Sequence, residues 1–286
     1  MSIAEQAAKF KLQKIGERPR LREYIRESWS RRTFAYTLAR FNLQASTAKS
    51  SLGVAWLVLV PAMQIMVYGL IFGLVLGNTR PDNFLPYLVT GIVLFQFVSG
   101  SFADGAKSIT ANASLVRSLN FPRVLLPASA VISNIYRIVP LVGLMLIALV
   151  ALREPLTFNW FLIIPDVILM ACFSAGLAMV AARLTVHFAD LNQLVPFITR
   201  VAFYSSGIFF SIDNLFKGHP NYEAILRPIL EANPIHIYLQ IARGSLVSGY
   251  IYDLYQWVFG ALWALASLTF GFIFFWRAEE KFGRNV

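Results

Sequence analysis

Charge is what this chain has least of. Only 14% of its 286 residues are Asp, Glu, Lys or Arg, against about 25% in a soluble domain. With 57% hydrophobic residues, too little charge remains to cover a water-facing surface, which excludes a soluble globular protein. There is one cysteine, Cys172, inside an apolar run, so no intrachain disulfide can form and the thiol reads as packing. His187, His219 and His236 have no Cys or His partner at ligand spacing, so no metal site is expected. No G-x-x-x-x-G-K-[ST] occurs, so the chain itself cannot cradle ATP phosphates in a P-loop. G-x-S-x-G and H-E-x-x-H are also absent, as is any close carboxylate pair within the apolar runs. Asp166, Arg137 and Arg200 stand on three different runs and make no ionisable relay of the kind a proton-coupled transporter carries. No signal peptide is visible, because the N-terminal stretch is polar and basic and the first apolar run is too long for an h-region.

What the chain has in abundance is long apolar runs. A hydrocarbon core about 30 Å thick takes about 20 helical residues. Six runs qualify: 53–77, 84–103, 124–152, 160–182, 191–212 and 256–276. Backbone groups within the bilayer must be bonded inside the segment, which selects helices. Lys and Arg then set direction. Eleven precede the first run, and Lys107, Arg117, Arg123, Arg183, Arg277, Lys281 and Arg284 fall on the same side. The opposite side has only Arg80, Arg153, Lys217, Arg227 and Arg243. Both termini are therefore expected in the cytoplasm. The net charge of +10 follows the membrane boundary and forms no nucleic-acid face.

The expected fold is an all-α polytopic membrane protein with six transmembrane helices. Residues 1–52 form a cytoplasmic N-terminal segment and 53–286 the transmembrane domain. In the first, Leu21, Ile25 and Trp29, then Phe34, Leu38 and Phe41, recur at helical spacing among arginines, which predicts an amphipathic helix in the membrane interface. An external region, 213–255, contains two apolar patches too short to span, punctuated by Pro228 and Pro234; these predict short re-entrant helices or an external cap. A cytoplasmic loop, 104–123, contains an unexpected element in "NASLVRSLNFPRVLLP". Asn112 can cap a helical turn, and Leu115, Val116 and Leu119 share one face. Pro122 disfavours helix at Phe121, while Arg117 and Arg123 present charge. A second cytoplasmic loop is expected at 183–193.

Several stretches together resemble the permease subunit of ABC-2-type exporters, closest to the branch that exports lipid-linked polysaccharides such as O-antigen, teichoic acid and capsule. Ser50, Leu52, Gly53, Trp56 and Pro61 carry an S-x-L-G-x-x-W-x-x-x-x-P pattern at the first span. The Asn112–Pro127 stretch resembles the family's first cytoplasmic loop, "ADLNQLVPFITRVAFYSSGIFF" its fifth span, and "ANPIHIYLQIAR" the element before its sixth. The chain departs from the pattern at Ser46–Thr47–Ala48, where a basic triplet is usual, at Ala189 of the second loop's R-D pair, and at Ser206, where proline is common. The resemblance implies that Asn112, Leu115, Val116, Arg117, Leu119, Phe121, Pro122, Arg123 and Asp190 couple to a separate ATPase, which alone would hold ATP and magnesium. It also implies a homodimer, with spans one and five at the interface and channel.

Sequence adds detail to that pathway. Trp56, Val60, Gln64, Tyr68 and Phe72 recur every four residues on span one, and Arg200, Phe203, Gly207 and Phe210 lie beside Tyr204 on span five. Aromatic faces suit the C–H-rich faces of sugars, although most phenylalanines in such a chain simply pack or face lipid. Arg200 lies about 13 Å into its run, where it either meets an anionic headgroup or makes a structural hydrogen bond to a carbonyl or Asp190; Arg137 reads as structural. A drug or small-lipid exporter, a secondary transporter and a membrane-embedded glycan transferase remain alternatives. The transferase would need an acidic metal-binding loop, which the short basic loops lack.

Overall fold

The computed structural model describes residues 19–48, 53, 55–75, 77, 80–188, 190–216, 220–280 and 282; Lys49, Ser50 and Leu52 at the first motif, and Ala189, lie outside them. Among the described residues the chain is helical without strands. Two helices, α1 (Leu21–Ser30) and α2 (Arg32–Ala48), precede the bundle. It continues through α3 (Ala55–Val75), α4 (Phe84–Lys107), the short α5 (Ala113–Ser118), α6 (Leu125–Ala151), α7 (Ile163–His187) and α8 (Leu191–Ser205). Three further pieces, α9 (Ile212–Leu215), α10 (Pro220–Glu231) and α11 (Pro234–Leu246), lead into α12 (Leu254–Trp276).

Five helical segments are long and apolar enough to cross a membrane: α3, α4, α6, α7 with the 3-10 turn before it, and α12. The fifth expected span, 191–212, does not run its full length. α8 has 15 residues, about 22 Å at 1.5 Å each, and stops at Ser205 although apolar residues continue to Ile212. Gly207 has a φ of +67°, a left-handed turn that side chains with a Cβ rarely adopt. Elsewhere boundaries shift modestly. α4 runs on to Lys107, so Asp104 is helical and the first loop starts at Ser108 instead of 104. α7 reaches His187, shortening the second loop. Pro228 lies within α10 and does not end it. The break before α11 comes at Asn233, whose side chain accepts a hydrogen bond from the Ile235 N–H while Pro234 starts the helix. α12 opens with a reciprocal capping box between Asp253 and Gln256.

α4 is the central helix, packed by α3, α6, α7, α8 and α11 and buried along most of its length. α7 packs most extensively on α12, where small residues permit backbone contact. A Cβ on Gly176 would overlap the Ser267 backbone. By contrast α3 is fully buried only at Pro61, and Met66, Val67, Leu70, Leu74 and Val75 present an uncovered apolar face.

The connections gather at two ends. At the basal end, α1, α2, α5 and the C-terminal turn share a core of Tyr24, Val116, Phe121, Leu126, Phe275 and Phe282. At the apical end, Asn83 Nδ2 donates to the Ser248 carbonyl at 2.9 Å, and the Ser248 N–H donates to Glu154 Oε2 at 2.7 Å. The N-terminal segment is two helices, broken at Arg31, and its inward face is Tyr24, Ala35 and Ala39. Ile25, Trp29 and Phe41 point outward, away from the bundle.

Candidate coupling surface and membrane pathway

The first loop is tied down from both chain ends. Ser108 Oγ donates to the Gly105 carbonyl, a 3-10 turn spans Thr110–Asn112, and α5 ends where Leu119 turns extended. Asn112 does not cap α5 through its oxygen. Its amide donates backwards to the Ser108 carbonyl at 2.8 Å, because the 3-10 turn has already bent the chain into helical geometry. Val116, Phe121 and Pro122 are buried in the chain's own basal core, and Leu115 packs beside them. The Phe121 ring sits 4.9 Å from Phe34 of α2. Arg123 also points inward. Its N–H donates to Glu279 Oε1 at 3.1 Å and its guanidinium to the Glu279 carbonyl at 3.0 Å. Tyr24 Oη donates to Glu279 Oε2 at 2.7 Å and accepts from the Val124 N–H at 3.1 Å.

The apolar stripe read from the sequence is thus split. Val116 and Phe121 face home, whereas Leu119 is 50% exposed beside exposed Arg117 and Asn120. Leu119, Asn120 and Phe121 line a groove of ≈ 290 Å³ with Arg31 and Phe34. Arg31 holds this edge in place, donating to the Asn120 carbonyl at 2.7 Å and pairing with Glu27 at 2.9 Å. Asp190 is exposed at the start of α8, and no hydrogen bond or ion pair joins it to the loop.

Glu279 lies past the end of α12, and burial pushes its carboxyl pKa up, against the opposing effects of the Arg123 N–H, the Tyr24 hydroxyl and the Arg123 charge. Burial, then the neighbouring Glu279 charge, holds the Tyr24 phenol well above its usual range.

Of the two expected aromatic faces, the structure brings parts together. Tyr68 and Phe72 of α3 turn inward and meet Phe209, with ring centroids 5.1 and 4.2 Å away. Phe203 joins them, 5.5 Å from Tyr68 and 5.1 Å from Phe95 of α4. Trp56, Val60 and Gln64 remain exposed on α3, as do Arg200 and Tyr204 on α8. Arg200 makes no hydrogen bond or ion pair with a described residue, so the expected bond to Asp190 does not form and no described carbonyl accepts from it. Gly207 and Phe210 do not extend the α8 face, because the helix has already ended. Arg137 is structural, paired with Asp104 at 2.9 Å. Trp56 and Val60 edge a cleft of ≈ 270 Å³ that also includes Gln96, Asn134 and Arg137.

The break after α8 is held by residues that sequence reasoning missed. Tyr87 Oη lies 2.7 Å from both the Gly207 and Phe210 carbonyls, so its single proton is shared. Arg243 donates to the Gly207 carbonyl at 3.0 Å and stacks 3.3 Å from the Tyr87 ring centroid. It is 0% exposed and has no carboxylate partner among the described residues; carbonyl oxygens and a π face take that place. His236 Nδ1 faces the Ser206 carbonyl at 3.2 Å, and a carbonyl only accepts, so Nδ1 carries the proton. Arg243 is therefore an interior strut and not an external loop charge. Its signal in sequence was an arginine in an apolar stretch after an Asn-Pro start. Asp166, in the first turn of α7, is also fully buried, and both its carboxylate oxygens lack a donor among the described residues. The positive end of that helix is the compensation visible there.

Together these features define a multi-pass helical membrane protein whose basal end has a short, rigidly braced helix with an outward edge. Among the described residues no group of three His, Cys, Asp or Glu could hold a metal. Comparison with known proteins gives the family: residues 34–247 match the ABC-2 type transporter family, and the chain belongs to it. Over 191 residues, 67% of this chain and 73% of the relative, it is 27% identical to the O-antigen export system permease protein RfbA of Myxococcus xanthus. It is 23% identical over 234 residues to the polysialic acid transport protein KpsM of Escherichia coli, covering 81% of this chain and 88% of the relative. The capsule polysaccharide export inner-membrane protein CtrC of Neisseria meningitidis is 25% identical over 175 residues, 58% of this chain and 64% of that protein. By name these relatives act in O-antigen export, polysialic acid transport and capsule polysaccharide export, the branch the sequence motifs resemble.

Proposed function

We propose that this chain is one half of a homodimeric pathway that carries a lipid-linked polysaccharide across the bacterial plasma membrane, driven by a separate ATPase. The observation that carries this reading is the braced basal loop. A coupling element must transmit a push without folding away. The inward anchors Val116, Phe121 and Arg123 supply stiffness, and the outward edge of Arg117, Leu119 and Asn120 supplies contact. ATP and magnesium belong to the partner, and this chain contributes no catalytic residue. The basal end lies in the cytoplasm by the Lys and Arg count, with α1 and α2 in the interface, Ile25, Trp29 and Phe41 dipping into lipid.

In this reading α8 is the fifth of six spans. Its missing length is supplied by 206–216 and by α10 and α11, re-entrant from the external side. Backbone of that kind is tolerated at membrane depth where protein or a water cavity surrounds it, and the bonds to the carbonyls of Ser206, Gly207 and Phe210 meet that condition. The uncovered face of α3, with Trp56, Val60 and Gln64, and that of α8, with Arg200 and Tyr204, meet their copies across a two-fold axis. Arg200, which pairs with no described residue, then serves an anionic headgroup such as a pyrophosphate.

Co-purification tests the assignment. A P-loop ATPase should accompany the wild-type protein at one copy per copy, and cells lacking the permease should accumulate lipid-linked glycan on the cytoplasmic leaflet. Loss of polymer synthesis instead of translocation would identify a transferase. Cargo moved by the permease alone in nucleotide-free vesicles would also sink the reading.

A further inference from the structure

The apical end holds a polar cavity of ≈ 510 Å³ between α10, α11 and the segment leading into α12. That volume lies within the range of small-molecule sites, about 300–1,000 Å³. It descends from Asp82 and Tyr250 at the apical connections to His236, whose ring contacts the break in the fifth span through Ser206. The cavity therefore leads from the outer surface to the point where α8 unwinds.

Its lining is chemically selective. Among the described residues four carboxylates, Asp82, Asp213, Glu231 and Asp253, face it against one guanidinium, Arg227. Arg227 is already committed: it bonds Asp213 at 2.6 Å, Glu231 at 2.7 Å and, outside the lining, Glu223 at 2.8 Å. The Asp82 carboxylate accepts no hydrogen bond from a described residue. Among the remaining groups are Gln240 and the ring of Tyr255. Carboxylates accept from vicinal hydroxyls, the Gln240 amide both accepts and donates, and a tyrosine ring covers the C–H face of a pyranose. An anion entering would meet the excess negative charge of these described carboxylates.

We infer that this cavity is a subsite for uncharged pyranose units of the exported glycan as they leave the membrane, and that its acidic rim rejects acidic sugars. The inference rests on the polysaccharide-permease reading and narrows its substrate class. A polyanionic cargo such as that in the name of the Escherichia coli relative is disfavoured here.

The test uses the full permease–ATPase complex in lipid nanodiscs, with saturation-transfer NMR as the readout. The probes are galactan, mannan and rhamnan oligomers, and oligosialic acid of equal length. At least one neutral oligomer should show transfer fivefold or more above oligosialic acid. Gln240→Ala with Tyr255→Ala should reduce that signal to background while the complex elutes and melts as wild type. Asp82→Lys, on an exposed connection, should raise oligosialic acid transfer at least threefold, and this variant carries the test if the double variant fails to fold. Transfer from none of the neutral oligomers, or equal transfer from oligosialic acid in the wild type, overturns the inference. Failure of the ATPase to co-purify would instead strike the underlying permease reading, so the two failures are distinguishable.

Discussion

Arg123 and Glu279 lie 156 residues apart in the chain and meet at the base of the bundle, the Arg123 N–H 3.1 Å from one carboxylate oxygen while the Tyr24 hydroxyl holds the other at 2.7 Å. One buried carboxylate thus joins the N-terminal helix, the first loop and the end of the last span. Displacing the loop would therefore strain its contacts with α1 and with the turn after α12 together.

The first prediction concerns that carboxylate. Its folded pKa lies above the usual 4.5 because burial outweighs its hydrogen bonds. The sign follows: the folded state holds the proton more tightly, so the group's contribution is fully present below 4.5 and is lost as pH rises toward its folded pKa. Glu279→Gln should abolish that pH dependence and stay within about 1 kcal/mol of wild type at pH 7. Glu279→Ala, which strands Tyr24 and Arg123, should lose about 2–3 kcal/mol. Thermal melts of the solubilised protein at pH 5 and pH 7 compare the three proteins, and a Gln variant with unchanged pH dependence would show the carboxylate is not the responsive group.

The second concerns the loop's two sides. Val116→Ala should cost roughly 1–2 kcal/mol in stability through lost burial, with the ATPase still co-purifying. Leu119→Asp should leave the melt unchanged and reduce co-purified ATPase at least fivefold. A Leu119→Asp protein that retains its ATPase would remove Leu119 from the contact.

A third follows from Arg243. Lysine lacks the planar fork that stacks on Tyr87 while reaching the Gly207 carbonyl. Arg243→Lys should lower the melting temperature and admit chymotrypsin cleavage at Phe209 or Phe210. Tyr87→Phe should be milder, costing about 1–3 kcal/mol for the Phe210 carbonyl it leaves unpaired. Full protease resistance in Arg243→Lys would mean the break is held by other groups.

The fourth addresses the α7–α12 contact. Gly176→Ala drives its methyl into the Ser267 backbone and should destabilise by roughly 1–3 kcal/mol. Gly143→Ala, in open space, is the matched control and should not. Monodispersity and melting temperature of the two variants decide it.

Arg200 gives the fifth. Arg200→Gln should leave protein level and ATPase pairing intact and cut export at least tenfold; normal export would end the headgroup role.

How much was legible divides along a physical line. Run lengths gave α3, α4, α6, α7 and α12, because hydrocarbon thickness sets a length that composition reveals directly. The short helix in the first loop was visible in the Leu115–Leu119 stripe and Pro122. The end of α8 was not, because in a uniformly apolar run periodicity fades and Gly207 was read as one more position on a face. The inward turn of Arg123 and the burial of Arg243 were missed for a shared reason: each charge is satisfied by groups far away in sequence, Glu279 in one case and the Gly207 carbonyl and Tyr87 ring in the other.

Apolar run length and short motifs are local, additive properties, so they were enough to indicate a helical membrane protein of the ABC-2 type. Which arginines are struts and which remain outward, where the fifth apolar run breaks, and how α1 and the turn after α12 clamp the first loop emerged from the folded chain alone. Those outcomes depend on pairings between distant carbonyls, carboxylates and rings, and a buried charge goes wherever the fold supplies its partners.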